Sequence, residues 1–217
     1  MKIGNFARLV AIGSTVAIGF AVSGPSTAAY EEGKHYFKLE NPMPGKGEQV
    51  KVVEFFNFAC PHCYNLEPHI TQWSKKDKAD YITFSYVPAF WNDLFKNTAK
   101  AFYVAEALDK LDTLKTPIFE AIHKKGVDFT SVANIKAVFV ENGVDAKEFD
   151  KQFNSFFVSQ RMSMANKLFA QYKLRSVPAI VVDGTWRTSV QDAGSTKALF
   201  EIIEELAEKA KSSRTSK

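Results

Sequence analysis

The chain has 217 residues, 46% of them hydrophobic and 24% charged, which excludes a collagen-like, a disordered and a polytopic membrane protein. Two cysteines, Cys60 and Cys63, are too few for a disulfide-stapled mini-protein. The formal charge is +4, and two of the cations, Lys2 and Arg8, fall in an amino-terminal segment with the character of a removable leader. Without a clustered basic face, so small a surplus gives no basis for nucleic-acid binding. Phenylalanine is abundant at 19 residues, enough aromatic surface for a substantial core and for an apolar patch.

Residues 1–8 carry two cations and no acid, and residues 9–22, LVAIGSTVAIGFAV, form a short apolar run. Ser23, Gly24 and Pro25 break it, and the small residues Ser26, Thr27, Ala28 and Ala29 come next. This is the order of a secretory signal peptide, with cleavage expected near Ala29. A lipid-spanning helix needs about 20 apolar residues, and this run is shorter. The expected destination is an oxidising compartment, where disulfides form and persist.

Residues 30–48 contain Gly33, Pro42, Pro44, Gly45 and Gly47 and read as an irregular arm with one short strand. Residues 50–56, VKVVEFF, are β-branched and aromatic and predict a buried strand, in which Glu54 is out of place. Residues 63–76 have helical spacing. A second strand, residues 81–87, ends at Pro88. From residue 93 to about 172 the spacing is helical throughout, with Ala101, Phe102, Ala105 and Leu108 followed by Ile118, Phe119 and Ile122. Val132, Ile135, Val138 and Phe139 repeat it, ahead of Gly143. Asp145 and Glu148 make a capping-box-like start, with Phe149, Phe153, Phe156 and Phe157 as an apolar stripe behind. Strand character returns in VPAIVV from Val177, turns at Asp183-Gly184 and resumes over residues 185–189. Residues 195–211 predict a last amphipathic helix, and residues 212–217 a frayed polar tail. The pattern is an α/β sheet interrupted by an all-helical insertion, residues 93–172, between residues 30–92 and 173–217.

The strongest chemical signal is Cys60-Pro61-His62-Cys63, which comes after a strand and opens a helix. The spacing suits a small reversible disulfide ring, with the first sulfur outward and the second covered by the helix turn. Free backbone N–H groups and aligned peptide dipoles at a helix start stabilise a thiolate. His62 can add positive charge or a hydrogen bond, and Pro61 removes one N–H and fixes the first turn. These features favour the reduced form, which makes the disulfide the stronger oxidant. A redox dithiol fits this context best. A structural disulfide closing so small a loop gains little chain entropy. A zinc site would need two further ligands from His35, His62, His69 and His123, whose spacing matches no zinc pattern; no metal or other cofactor is expected.

The segments EFFNFACPHCYNLEP and KLRSVPAIVVDG, with a helical block between them, closely resemble the DsbA family of bacterial periplasmic thiol:disulfide interchange proteins. Pro-His between the cysteines is that family's choice of dipeptide. The resemblance implies a thioredoxin-like fold carrying the helical insertion. It also implies donation of the Cys60–Cys63 disulfide to newly secreted proteins with free thiols, through a mixed disulfide, and reoxidation by a quinone-linked inner-membrane partner of DsbB type. The family is itself the standard example of a thiol made acidic at a helix start.

The resemblance further places a cis Val177-Pro178 bond beside the dithiol, against a base rate that favours trans, with the Val177 backbone free to pair with an extended substrate. Glu54 is either a strand-edge acid or a buried carboxylate near Cys63 that passes protons. Related proteins often hold such an acid near a lysine on the neighbouring strand, but residues 81–87 here contain none. Glu67 also matches a family acid, although a solvated helix face explains it as well. Phe58, Phe90 and Trp91 are candidates for an apolar substrate groove, core packing being the alternative. A disulfide isomerase commonly dimerises through an added amino-terminal domain, for which residues 30–48 are too short, so isomerisation is a secondary activity at most; a monomer is expected. A reductase, a specialised paralogue and a groove-binding chaperone are the remaining alternatives.

Overall fold

The computed structural model describes residue 1 and residues 30–215. Apart from residue 1, the signal-peptide segment lies outside the described residues. A five-stranded mixed sheet is built from β1 (Phe37–Lys38), β2 (Val50–Phe56), β3 (Ile82–Pro88), β4 (Ala179–Val182) and β5 (Trp186–Thr188), in the order β1-β5-β4-β2-β3. The central β2 runs parallel to β3 and antiparallel to β4. Its apolar side chains on both faces suit that position, since a central strand is covered on both sides. Pro88 is tolerated because it ends an edge strand, where no ladder partner needs its missing N–H.

Alternation along β2 puts Val50, Val52, Glu54 and Phe56 on one face and Val53 and Phe55 on the other. The first face is covered by α1 (Pro61–Gln72) and α8 (Thr196–Thr215), whose Leu66, Ile70, Leu199, Ile202 and Ile203 share a core with Val50 and Val52. A π-helical turn, Trp73–Asp77, continues α1. Phe55 and Val181 pack on the opposite face with Leu39, Tyr172 and Leu174.

Between β3 and β4 lie five helices: α2 (Asp93–Ala107), α3 (Leu111–His123), α4 (Val132–Glu141), α5 (Ala146–Phe153) and α6 (Phe156–Gln171). Their core, with Phe102, Phe119, Phe139 and Phe149, is continuous with Phe56, Phe58, Cys60 and Cys63. The architecture is a thioredoxin-like fold with an all-helical insertion, and the insertion packs directly against the dithiol.

Local signals hold with instructive exceptions. Gly143 takes the left-handed conformation that ends α4, at φ +81°, and Asp145 caps α5 by accepting from the Lys147 and Glu148 N–H groups. The four-phenylalanine stripe does not hold. Phe149 and Phe153 are buried, but Phe156 is 81% exposed, because the chain breaks at Asn154 and Ser155 caps a new helix, which resets the helical phase. The Asp183-Gly184 hairpin has one residue more than expected, since Val182 pairs with Trp186 and leaves Thr185 in the loop. Gly184 is required there: φ is +59°, and a Cβ would collide with the Met43 carbonyl of the arm. The polar tail is helical to Thr215, because Arg214 anchors it to the Gln49 carbonyl, at 3.0 Å, and to the Asp183 carboxylate. A four-residue helix, α7 (Val190–Ala193), precedes α8.

Candidate active site

Cys60 is the N-cap of α1 and Pro61 opens its first turn. The Cys60 Sγ accepts from the Cys63 N–H at 3.4 Å and lies 3.6 Å from the Val177 carbonyl. Both cysteines are free thiols. Cys60 does not face outward as the spacing suggests: it is only 6% exposed, against 1% for Cys63, because the five-helix block packs over the motif. The two thiols are electrostatically opposite. A hydrogen bond from the Cys63 thiol lowers Cys60 to about 6 in spite of partial burial, with further help from the Cys63 and His62 N–H groups and, last, the His62 charge. Burial, the Cys60 thiolate and Glu54 push Cys63 well up. The pair therefore holds one acidic sulfur and one that keeps its proton. His62 is exposed, and its charge is the smallest of these contributions, less than the sequence suggests.

Glu54 is a buried carboxyl, 1% exposed, and its Oε2 has no hydrogen-bond partner. Burial and the neighbouring Glu67 raise its pKa well above the carboxylate range, and Lys115 opposes them. Glu67 is not on a solvated face: it is 8% exposed and pairs with Lys115 at 2.6 Å. The lysine missing from β3 is thus matched by one from α3. Helical spacing held the signal, since Lys115 is three and four residues before Ile118 and Phe119, on the buried side of that helix.

The turn between β2 and Cys60 is held by Asn57, which is fully buried. Its amide donates to the Ala89 and Phe95 carbonyls at 2.8 and 3.1 Å, and its Oδ1 accepts from the Ala59 N–H and the Thr98 hydroxyl at 2.9 and 2.8 Å. His123 of α3 bonds the Phe58 carbonyl at 2.7 Å and stacks on Tyr64 at 4.8 Å. These three residues, Asn57, Thr98 and His123, carry no distinctive sequence signal beyond polarity inside apolar runs.

The Val177-Pro178 bond is cis. Beside the motif lies a cleft of about 500 Å³ lined by His62, Leu66, Val177, Pro178 and Val190 among others. Phe58 is not part of it. Its side chain is 1% exposed and packs edge-on against Phe119 at 4.7 Å, so it is a core residue and offers no surface to a substrate. Phe90 is half-buried. Trp91 is 56% exposed and lies against Phe95, outside the residues lining that cleft.

Residues 78–204 match the family model described as a DSBA-like thioredoxin domain. The thiol:disulfide interchange protein DsbA of Azotobacter vinelandii is 31% identical over 93% of this chain and 94% of its own. The chain belongs to the DsbA family. It is a protein-disulfide oxidoreductase that works by thiol:disulfide interchange. The crystal structure of Pseudomonas aeruginosa DsbA superposes with a TM-score of 0.81 at 30% identity, covering 86% of this chain and 97% of that one. A Proteus mirabilis DsbA variant, solved with a non-covalently bound peptide, gives 0.70 at 28% identity over 83% of this chain and all of its own. Among the described residues no group of three or more His, Cys, Asp or Glu is placed to hold a metal, and no helix is long and apolar enough to cross a membrane.

Proposed function

We propose that this DsbA-family chain is a periplasmic oxidant that transfers its Cys60–Cys63 disulfide to newly secreted proteins and is then reoxidised by a quinone-linked membrane partner of DsbB type. The observation that carries the reading is the asymmetry of the two thiols: Cys60 is lowered to about 6 and Cys63 is pushed up. A sulfur stabilised as a thiolate is a good leaving group and a poor holder of a disulfide.

In the proposed reaction a substrate thiolate attacks the Cys60 sulfur of the disulfide. The S–S bond breaks, its electron pair leaves on Cys63, and the buried Glu54 carboxyl supplies the proton that makes Cys63 a thiol. A second substrate thiolate then attacks the substrate sulfur of the mixed disulfide and releases Cys60 as a thiolate. The substrate is oxidised by two electrons and the enzyme reduced by two; one proton stays on Cys63, once Glu54 has regained its own from solvent, and the other goes to solvent. Val177, with Pro178 holding its loop beside Cys60, offers its backbone to an extended chain. The cleft of His62, Val177 and Pro178 is the place for such a chain, and the Proteus mirabilis relative binds a peptide non-covalently. Trp91 adds apolar surface at the junction with the insertion.

This reading includes signal cleavage near Ala29, a monomer, no cofactor beyond the dithiol, and a division into residues 30–92 with 173–217 and an insertion, 93–172. Its test is stoichiometric: oxidised enzyme is mixed with a reduced, unfolded secretory protein and the loss of substrate thiols is counted. One disulfide per enzyme is expected, with none from Cys60→Ser. Oxidation that survives Cys60→Ser would overturn the assignment.

A further inference from the structure

Among the described residues, two carboxyls, Glu54 and Glu67, are buried beside the dithiol with a single buried cation, Lys115. They come from different parts of the fold. Glu54 is on β2, Glu67 on α1, and Lys115 on α3 of the helical insertion. Tyr86 of β3 stands directly beside Glu54 in the sheet register and joins the group. Its hydroxyl accepts from Lys115 at 2.6 Å and donates to Glu67 at 3.3 Å, while the Lys115 ammonium sits 4.2 Å above its ring. Thr71 donates to the same Glu67 oxygen and accepts from Lys115 at 3.4 Å. Every short contact of the cation thus goes to Glu67 and its hydroxyl neighbours, and Glu54 Oε2 is left with none.

We propose that Lys115 is a positioning residue of the redox centre: by fixing Glu67 as the charged member of the carboxyl pair, it leaves Glu54 as the member that carries a proton to Cys63. A lone buried charge is costly, and two carboxylates close together cannot both ionise freely. One cation is enough for one of them. The ion pair goes to Glu67 because α1 and α3 present the two side chains to each other at 2.6 Å. Glu54 then faces the Glu67 negative charge, the Cys60 sulfur and a hydrophobic sheet, and holds its proton. The other ionisable groups facing it are Lys115, Tyr86 and Cys63; its β4 neighbour in the register is Ile180, which does not titrate. The consequence is that the insertion takes part in proton control as well as covering the site. It reaches the redox helix twice through one element, at Glu67 by Lys115 and at the Phe58 carbonyl and Tyr64 ring by His123.

The inference rests on the proposed proton transfer from Glu54 to Cys63, so its test reads titration as well as turnover. Glutamate carboxyl carbons of the full-length reduced protein are followed by ¹³C NMR against pH, with Glu54→Gln used for assignment. In Lys115→Met the Glu54 resonances should titrate at higher pH, by at least one unit, a tenfold gain in proton affinity, because the opposing cation is gone. The basic limb of the thiol-oxidation rate should move with them, and Lys115→Arg should restore both. Glu67→Gln should act in the opposite sense and lower Glu54, because the repelling charge goes and the cation stays. If Lys115→Met fails to fold, Glu67→Gln alone decides by this sign. A Glu54 titration that stays in place in the folded variants would overturn the role of Lys115. Wild-type protein that oxidises no thiols, with the titrations shifting as described, would instead overturn the oxidant reading and leave the electrostatic assignment standing.

Discussion

Stability of the reduced protein should depend on pH in a way that stability of the oxidised protein does not. The Cys60 thiol is lowered to about 6 in the fold, against an unfolded reference of about 8.5. Between those values the folded chain binds fewer protons than the unfolded chain. The stabilisation is therefore fully present above the unfolded pKa and is lost as pH falls through the folded one. At pH 7 the folded thiol is about tenfold ionised and the unfolded one scarcely so, which corresponds to about 1.4 kcal/mol. Residual solvent screening brings this to on the order of 1 kcal/mol. Cys63 acts in the other sense. It stays protonated in the fold, so it lowers stability only where the unfolded thiol ionises, above about pH 8.5. The advantage of the reduced form should thus grow from pH 5 to a maximum near pH 8. Ring closure adds a term to the oxidised form that does not vary with pH. Urea titrations of both redox forms at pH 5, 7 and 8 measure the gap. The order of causes adds a sharper test: Cys63→Ala should raise the Cys60 pKa more than His62→Ser does. A gap that stays constant across the three pH values would refute the reasoning.

Other variants should respond as their environments dictate. Asn57→Ala removes four hydrogen bonds and takes the partner from the Ala59 N–H and the Ala89 carbonyl, while the Thr98 hydroxyl falls back on the Leu94 and Phe95 carbonyls. It should cost about 3 kcal/mol in urea unfolding; a loss below about 1 kcal/mol would show the turn is held otherwise. Glu54→Gln should make the protein more stable at pH 7 by about 1–3 kcal/mol while slowing thiol oxidation. Its raised pKa means the folded state holds a proton the unfolded state has released, so wild-type stability falls as pH rises above the unfolded value of about 4.5, and the variant should not share that slope. A variant less stable than wild type at pH 7 would contradict the unpartnered-carboxyl description.

The sheet and the helical block are legible in the sequence because short β-branched and aromatic runs contrast with long stretches of period 3.6. Val50, Val52 and Phe56 on one face of β2 and Ile118 and Phe119 on α3 show this. The dithiol is legible because strand, motif and helix are contiguous in sequence. The features that escape sequence reasoning depend on contacts between distant segments. Phe58 adjoins the motif but turns into the core, since Phe56, Phe102 and Phe119 surround it. Lys115 lies 61 positions beyond Glu54 and meets its carboxyl pair only after the insertion folds over α1. Phe156 and Phe157 leave the stripe because one residue, Ser155, caps a new helix and rotates the turns after it. Pattern reports which face a residue is on; it does not report which segment arrives to cover it.

The central claim is that this dithiol is an oxidant, and equilibrium with glutathione tests it most directly. The purified protein is equilibrated across a series of reduced-to-oxidised glutathione ratios at pH 7, and the fraction reduced is read from Cys60 and Cys63 thiol trapping. A thiolate favoured as strongly as Cys60 predicts a midpoint far on the oxidising side, above the roughly −180 mV of protein disulfide isomerase. A midpoint near the roughly −270 mV of thioredoxin would identify a reductant and contradict the account.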